Sequence, residues 1–223
     1  LPGGGRNWDY RYCWLRDATF TLAALIQTGY LDEARAWRAW LLRAVAGRGD
    51  ELRIMYGLAG ERRLPESELP WLPGFEQSRP VRIGNGAHTQ FQLDVFGEVL
   101  DCLHLARHYG LRDGFADWRI ERELLARLEQ VWPEPDEGLW EVRGPRRHFT
   151  HSKLMAWVAF DRAVRDAERF GLDGPVDRWR QLRDTLHAEI CERGFDRTRN
   201  AFVQYYGSHE VDANRRIRHA RRR

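Results

Sequence analysis

Residues 16–28 read RDATFTLAALIQT, a run that is apolar on nearly every side. At 3.6 residues per turn, such a run predicts a helix buried on both flanks rather than one laid on a surface. Gly29 follows where a left-handed helix stop would fall. A second helical run begins almost at once, over 31–46. There Leu31, Ala34, Leu41, Leu42 and Val45 form an apolar stripe, while Asp32, Glu33, Arg35, Arg38 and Arg43 are expected to face water. The two runs make a helical hairpin with a buried first member and an amphipathic second.

The same pairing recurs twice downstream. Residues 86–109 predict a long helix ending at Gly110, with a more polar partner over 116–131. Residues 151–170 turn Leu154, Met155, Trp157, Val158, Phe160 and Ala163 inward and stop at Gly171. Their partner, 176–193, is opened by Asp173, Gly174 and Pro175. Irregular stretches over 47–85 and 134–149 precede the first helices of the second and third hairpins, so they gather at one end. Within the former, LRIMYGL (52–58) reads as strand or extended loop. A helical-repeat solenoid would show similar hairpins but shorter, more regular loops. The expectation is an all-α toroid: inner helices packed on both sides, outer helices half exposed, long loops around one mouth.

The 223 residues, 43% hydrophobic and 31% charged, suit one domain or most of a larger one. Much of the net charge of +3 comes from the end of the chain, RRIRHARRR (215–223). The body is therefore near neutral, which excludes a nucleic-acid partner needing a basic face on the fold. No apolar run approaches the roughly 20 residues of a membrane span. Cys13, Cys102 and Cys191 are odd in number and widely spaced, fitting neither a disulfide framework nor a zinc site. A reducing, cytoplasmic setting follows as the expectation, with no metal or cofactor. Ten Trp stand out. Trp37, Trp40 and Trp157 fall at helical spacing, as core residues do, although indole faces also cover the C–H face of sugars.

Three segments carry possible chemistry. In NWDYRYCWLRD (7–17), alternating aromatics suggest a short extended run leading to Arg16 and Asp17 at a helix entrance. Asp17 there either complements the helix N-terminus or, with Arg16, grips neighbouring hydroxyls as acceptor and donor. In PVRIGNGAHTQFQLD (80–94), Asn85 between Gly84 and Gly86 is either the cap of a tight turn or, with Arg82, part of a cavity wall. In PDEGLWEVRGPRRHFT (135–150), Glu141 follows Trp140. A carboxyl set against an indole loses solvation and keeps its proton to higher pH, as a general acid must. An ordinary surface glutamate is the plainer reading of that dipeptide.

Together and in order, these segments resemble glycoside hydrolase family 15, the glucoamylases and related bacterial-type glucosidases and trehalases. The resemblance covers about residues 5–212. It rests on Trp14–Asp17 as W-x-R-D, Pro80–Ala87 as PVRIGN-x-A, Gln90–Asp94 as Q-x-Q-x-D and Gly138–Glu141 as G-[IL]-W-E. It extends through His148–Ala163 as HFT-x-SK-x-x-x-W-x-A-x-DRA and Phe202–Ala213 as FVQ-x-YGS-x-E-x-DA. The resemblance implies an (α/α)6 barrel, an inverting attack on an α-glucoside or oligosaccharide, and Glu141 as general acid. It implies substrate contacts by Arg16 and Asp17, with Trp14, Arg82, Asn85 and Trp140 in the same site. Three hairpins are about half such a barrel, so residues 1–212 are expected to be its N-terminal half and 213–223 a basic tail outside the family pattern. No residue matches the family's late general base, which makes the isolated chain an expected non-hydrolase. A sugar-binding or scaffold remnant is the alternative. A terpene-cyclase toroid would need an Asp-rich motif, and none is present.

Overall fold

The computed structural model describes residues 2–46, 52–111 and 115–212; the basic tail, 213–223, lies outside them. Six helices dominate: α1 (Leu15–Thr28), α2 (Leu31–Val45), α3 (Asp94–His108), α4 (Phe115–Val131), α5 (Thr150–Phe170) and α6 (Val176–Arg193). They pair as three consecutive hairpins, and the first members line up, α1 against α3 and α3 against α5. Helices α2, α4 and α6 back them on the outside. This is the expected all-α arc, part of a helical barrel.

The stops are where glycine allows them. Gly29 and Gly171 close α1 and α5 at φ 88° and 64°, the left-handed region that a side chain disfavours. The core lies between the rows, with Leu93, Val99, Leu100 and Leu103 of the α3 segment meeting Leu124, Leu128, Ala156, Ala159 and Phe160. Helix α3 is buried almost all round, but α1 is not: Thr19, Leu22 and Ile26 are covered, whereas Phe20 is 65% exposed. The expectation of two buried flanks thus describes α3. Among the described residues the main helix neighbours of α1 are α2 and α3.

Two further expectations need correction. The predicted helix over 86–109 begins only at Asp94, because Gly86–Thr89 form a 3-10 turn and the 134–149 loop then captures the backbone. The Asp136 carboxylate accepts the Leu93 N–H at 2.9 Å and that of Glu137 accepts the Phe91 N–H at 2.8 Å. Arg38, expected to face water, is buried in an ion pair with Asp117 that ties α2 to α4. A charge at that position on the stripe's edge reads as solvated in sequence because its partner is 79 residues away.

Short strands stitch the loops. β1 (Cys13–Trp14) pairs antiparallel with β2 (Met55–Tyr56), so the extended reading of both segments holds. β3 (Ser67–Glu68) pairs with β4 (Arg82–Ile83), and β5 (Phe195–Asp196) with β6 (Ala201–Phe202). No described helix is long and apolar enough to cross a membrane. The three cysteines are free thiols.

Candidate active site

The N-terminal ends of α1, α3 and α5 point the same way, and the loops before them meet. Trp14 ends β1 and sits at the entrance of α1, mostly buried. Its indole Nε1 donates to Glu141 Oε1 at 2.7 Å. Arg16, the second residue of α1, donates from Nη1 to the Leu139 carbonyl at 3.1 Å, holding the loop that carries Glu141. Its Nη2 lies 3.6 Å from both Glu141 Oε1 and Asp17 Oδ2. One guanidinium therefore stands between two carboxylates drawn from segments 124 residues apart in sequence.

The carboxylates differ in exposure. The Asp17 side chain is 72% exposed and that of Glu141 20%. No side-chain hydrogen bond caps α1, so Asp17 is left with its carboxylate toward solvent beside Arg16. Its place in the first turn still suits the positive helix end. Glu141 has φ 52°, a left-handed backbone for a residue with a side chain. Such strain costs on the order of 1–3 kcal/mol and persists only where surroundings impose it. Here the imposing contacts are the Arg16 bond, the Trp14 bond and a Glu141 N–H to Gly138 carbonyl bond at 3.1 Å. Among the described residues, Glu141 Oε2 takes no hydrogen bond.

The indole that meets Glu141 is thus Trp14, not its sequence neighbour. Trp140 turns away, 54% exposed, with Nε1 donating to Asp212 at 2.9 Å. A turn through a left-handed residue sends adjacent side chains apart, which the dipeptide alone does not reveal. The exposed Trp140 face remains open to an apolar ring.

Arg82 and Asn85 sit farther back. Asn85 is buried: its Oδ1 accepts the Ala87 N–H at 3.0 Å and its Nδ2 donates to the Asp9 carbonyl at 3.2 Å. The turn-cap reading describes those contacts, and the amide is spent inside the fold rather than in a cavity wall. Arg82 donates to the Gly5 and Asn7 carbonyls and to Glu68. Its guanidinium lies 4.5 Å from the centre of the Trp8 ring, with that of Arg143 4.2 Å away. Glu66 joins these, accepting from Arg143 at 2.8 Å and from the Gly86 N–H at 2.9 Å. Burial pushes Glu66 up, but the arginines and the N–H outweigh it and hold its pKa below the usual value. This knot fixes the rim on which Glu141 stands. Asp9 is part of it, held well below the ordinary carboxylate range chiefly by Arg11.

Beneath Arg16 is a layer that sequence reading passed over. Asp94 lies 3.9 Å from Arg16, fully buried, with neither oxygen hydrogen-bonded among the described residues. Burial raises its pKa, against the pull of His151 and Arg16. Glu98, one turn on, is pushed up to about 8 by burial and by Asp94. The available signal is two acidic residues at i and i+4 among the apolar residues that open α3.

The helical arc has the fold of solved glycosidases. Two solved glycosidase variants, one of them in complex with glucose, superpose with TM-scores of 0.69 and 0.68 at 17% and 16% identity. Each superposition covers 95% of this chain, and 56% or 57% of theirs. The sequence pattern of the glycosyl hydrolases family 15 matches residues 1–218, and the chain belongs to that family. It is 43% identical over 218 residues to a trehalase of Mycobacterium tuberculosis, covering 96% of this chain and 32% of that protein. A Thermoplasma volcanium trehalase is 36% identical over 212 residues, 95% of this chain and 34% of that one. The chain thus spans about a third of the length of these relatives.

Proposed function

We propose that this chain carries the sugar-binding and acid-catalyst half of an inverting α-glucoside hydrolase, acting on trehalose. The observation that carries the reading is the meeting of Trp14, Arg16, Asp17 and Glu141 at the mouth end of the inner helices. Trehalose is favoured because the curated relatives this chain matches at 36–43% identity are trehalases. Asp17 and Arg16 offer an acceptor and a donor to adjacent glucose hydroxyls. The Trp14 bond anchors Glu141 by Oε1 and leaves Oε2 to deliver a proton to the departing glycosidic oxygen. Inversion requires a base on a water across the ring, about 6.5–9.5 Å from the acid. No residue of this chain matches the family's base, so that role falls to a group supplied from outside these residues. The binding, orienting and proton-donating parts are present here.

The test uses a chain that includes the family's base. Glu141→Gln keeps the size of the side chain but carries no proton, so turnover of trehalose should fall by about 10²–10⁴-fold. With α-glucosyl fluoride, whose leaving group needs little protonation, most of that loss should be recovered. Asp17→Asn should raise KM and lower kcat on both substrates. Equal responses of the two variants to the fluoride would refute the assignment.

A further inference from the structure

At the far end of the arc, the C-terminal ends of α3 and α5 bring together residues that the catalytic reading does not use. His104 and His108 are four apart on α3 and share one face, with ring centres 4.2 Å apart. A rise of 1.5 Å per residue puts them roughly 15 and 20 Å along the helix from Asp94, away from Arg16 and Glu141. Asp166 reaches across from α5. Its Oδ1 lies 2.6 Å from His104 Nδ1 and 3.6 Å from His108 Nε2. One donor atom from each of the three residues lies within 4.8 Å of the others. The Asp166 side chain is buried, while those of both histidines are partly open to water. Its second oxygen pairs with Arg107, which also holds the buried Glu121. That contact fixes the carboxylate so that Oδ1 faces the imidazoles.

We propose that His104, His108 and Asp166 bind a divalent transition-metal cation of the zinc class, clamping α3 to α5 at the end remote from the sugar site. Two imidazoles and one carboxylate oxygen are the donor set of zinc, cobalt or nickel rather than of magnesium or calcium, which take oxygen. Tetrahedral bonds of about 2.1 Å place ligand atoms roughly 3.4 Å apart. The His108–Asp166 spacing already meets this. The His104–Asp166 pair must open by less than an ångström, which its partly exposed ring permits. Binding displaces the proton that His104 and Asp166 share, and water fills the fourth position. Arg107 beside Asp166, and Arg169 on the last turn of α5, oppose the cation. The affinity should therefore be micromolar, well short of four-ligand structural zinc sites.

The experiment is a cobalt(II) titration of the tag-free 223-residue chain, followed by visible absorption, with zinc as competitor. One cobalt per chain should bind at roughly 1–100 µM and be displaced by zinc. His104→Gln and His108→Gln should each weaken binding by at least about tenfold. His108→Gln leaves the Arg107–Asp166–Glu121 contacts in place, so its melting point without metal should stay near the parent's. Zinc at a hundredfold excess over Kd should raise the parent's melting point by roughly 5–10 °C and leave this variant unmoved. Absence of saturable binding below about 1 mM, or either variant binding as tightly as the parent, would overturn the proposal. So would a thiolate-to-cobalt charge-transfer band, which would place the metal at Cys191, 3.8 Å from His187.

Discussion

Gly97 offers a sharp test of how α3 and α5 meet. It lies in the first turns of α3, where propensity alone predicts that Ala would stabilise the chain by about 1 kcal/mol. The packing predicts the opposite sign. A Cβ at Gly97 would stand 2.7 Å from the Met155 carbonyl carbon and 2.8 Å from the Met155 Cβ, and nearer still to the carbonyl oxygen. Comfortable carbon contacts are about 3.5–4.0 Å, so the two helices must part by roughly 1 Å. The obstacle is backbone, which no rotamer change relieves. Parting the helices also loosens the cluster that holds Val99, Leu100, Ala156, Ala159 and Phe160. Overpacking of this kind costs about 1–3 kcal/mol, and a backbone obstacle puts Gly97 at or above the top of that range. After the propensity gain, the net loss should be about 2 kcal/mol. For a chain of this size that lowers Tm by roughly 4–8 °C. Thermal unfolding followed by circular dichroism, with helix content checked at 20 °C, is the assay. An unchanged or raised Tm in Gly97→Ala would refute the close α3–α5 approach.

Two other perturbations probe the buried charges. Arg107→Met strands Glu121 and Asp166, whose side chains are 2% and 1% exposed, and should cost about 3–5 kcal/mol in a urea melt; a loss under about 1 kcal/mol would mean that the pairs are not buried in solution. Glu98 holds its proton up to about pH 8 when folded but sheds it near 4.5 when unfolded. Its folded state therefore binds the extra proton between those values, and stability falls as pH rises through that window, by at most about 1.4 kcal/mol per unit. Glu98→Gln should flatten the fall between pH 5 and 8, keeping only the part due to groups such as Asp136, raised to about 7. An unchanged pH profile would contradict a buried, protonated Glu98.

The hairpins were legible because their signals are local. The end of α1 at Gly29 and the start of α6 at Val176 follow from glycine, proline and apolar spacing within a few residues. The delayed start of α3 was not, since Asp136 and Glu137, more than 40 residues on, decide it. The same distance rule governs the site. Arg16, Asp17 and Glu141 stood out through their motifs, but that Trp14 rather than Trp140 would meet Glu141 depends on the left-handed turn at 141 and on β1. Arg38 reads as a solvated charge until packing supplies Asp117, and nothing local to Arg107 pairs it with Glu121 and Asp166.

The central claim, that Arg16 and Asp17 hold a glucose unit beside the acid Glu141, is tested most directly by isothermal titration of trehalose and of glucose into the 223-residue chain. Saturable binding at millimolar level, about 4 kcal/mol, is expected. Glu141→Gln should retain it within about twofold. Asp17→Asn, which loses a charged acceptor worth about 1.5–3 kcal/mol, should weaken it by at least about tenfold. Binding that ignores Asp17→Asn, or that falls equally in both variants, would contradict the account.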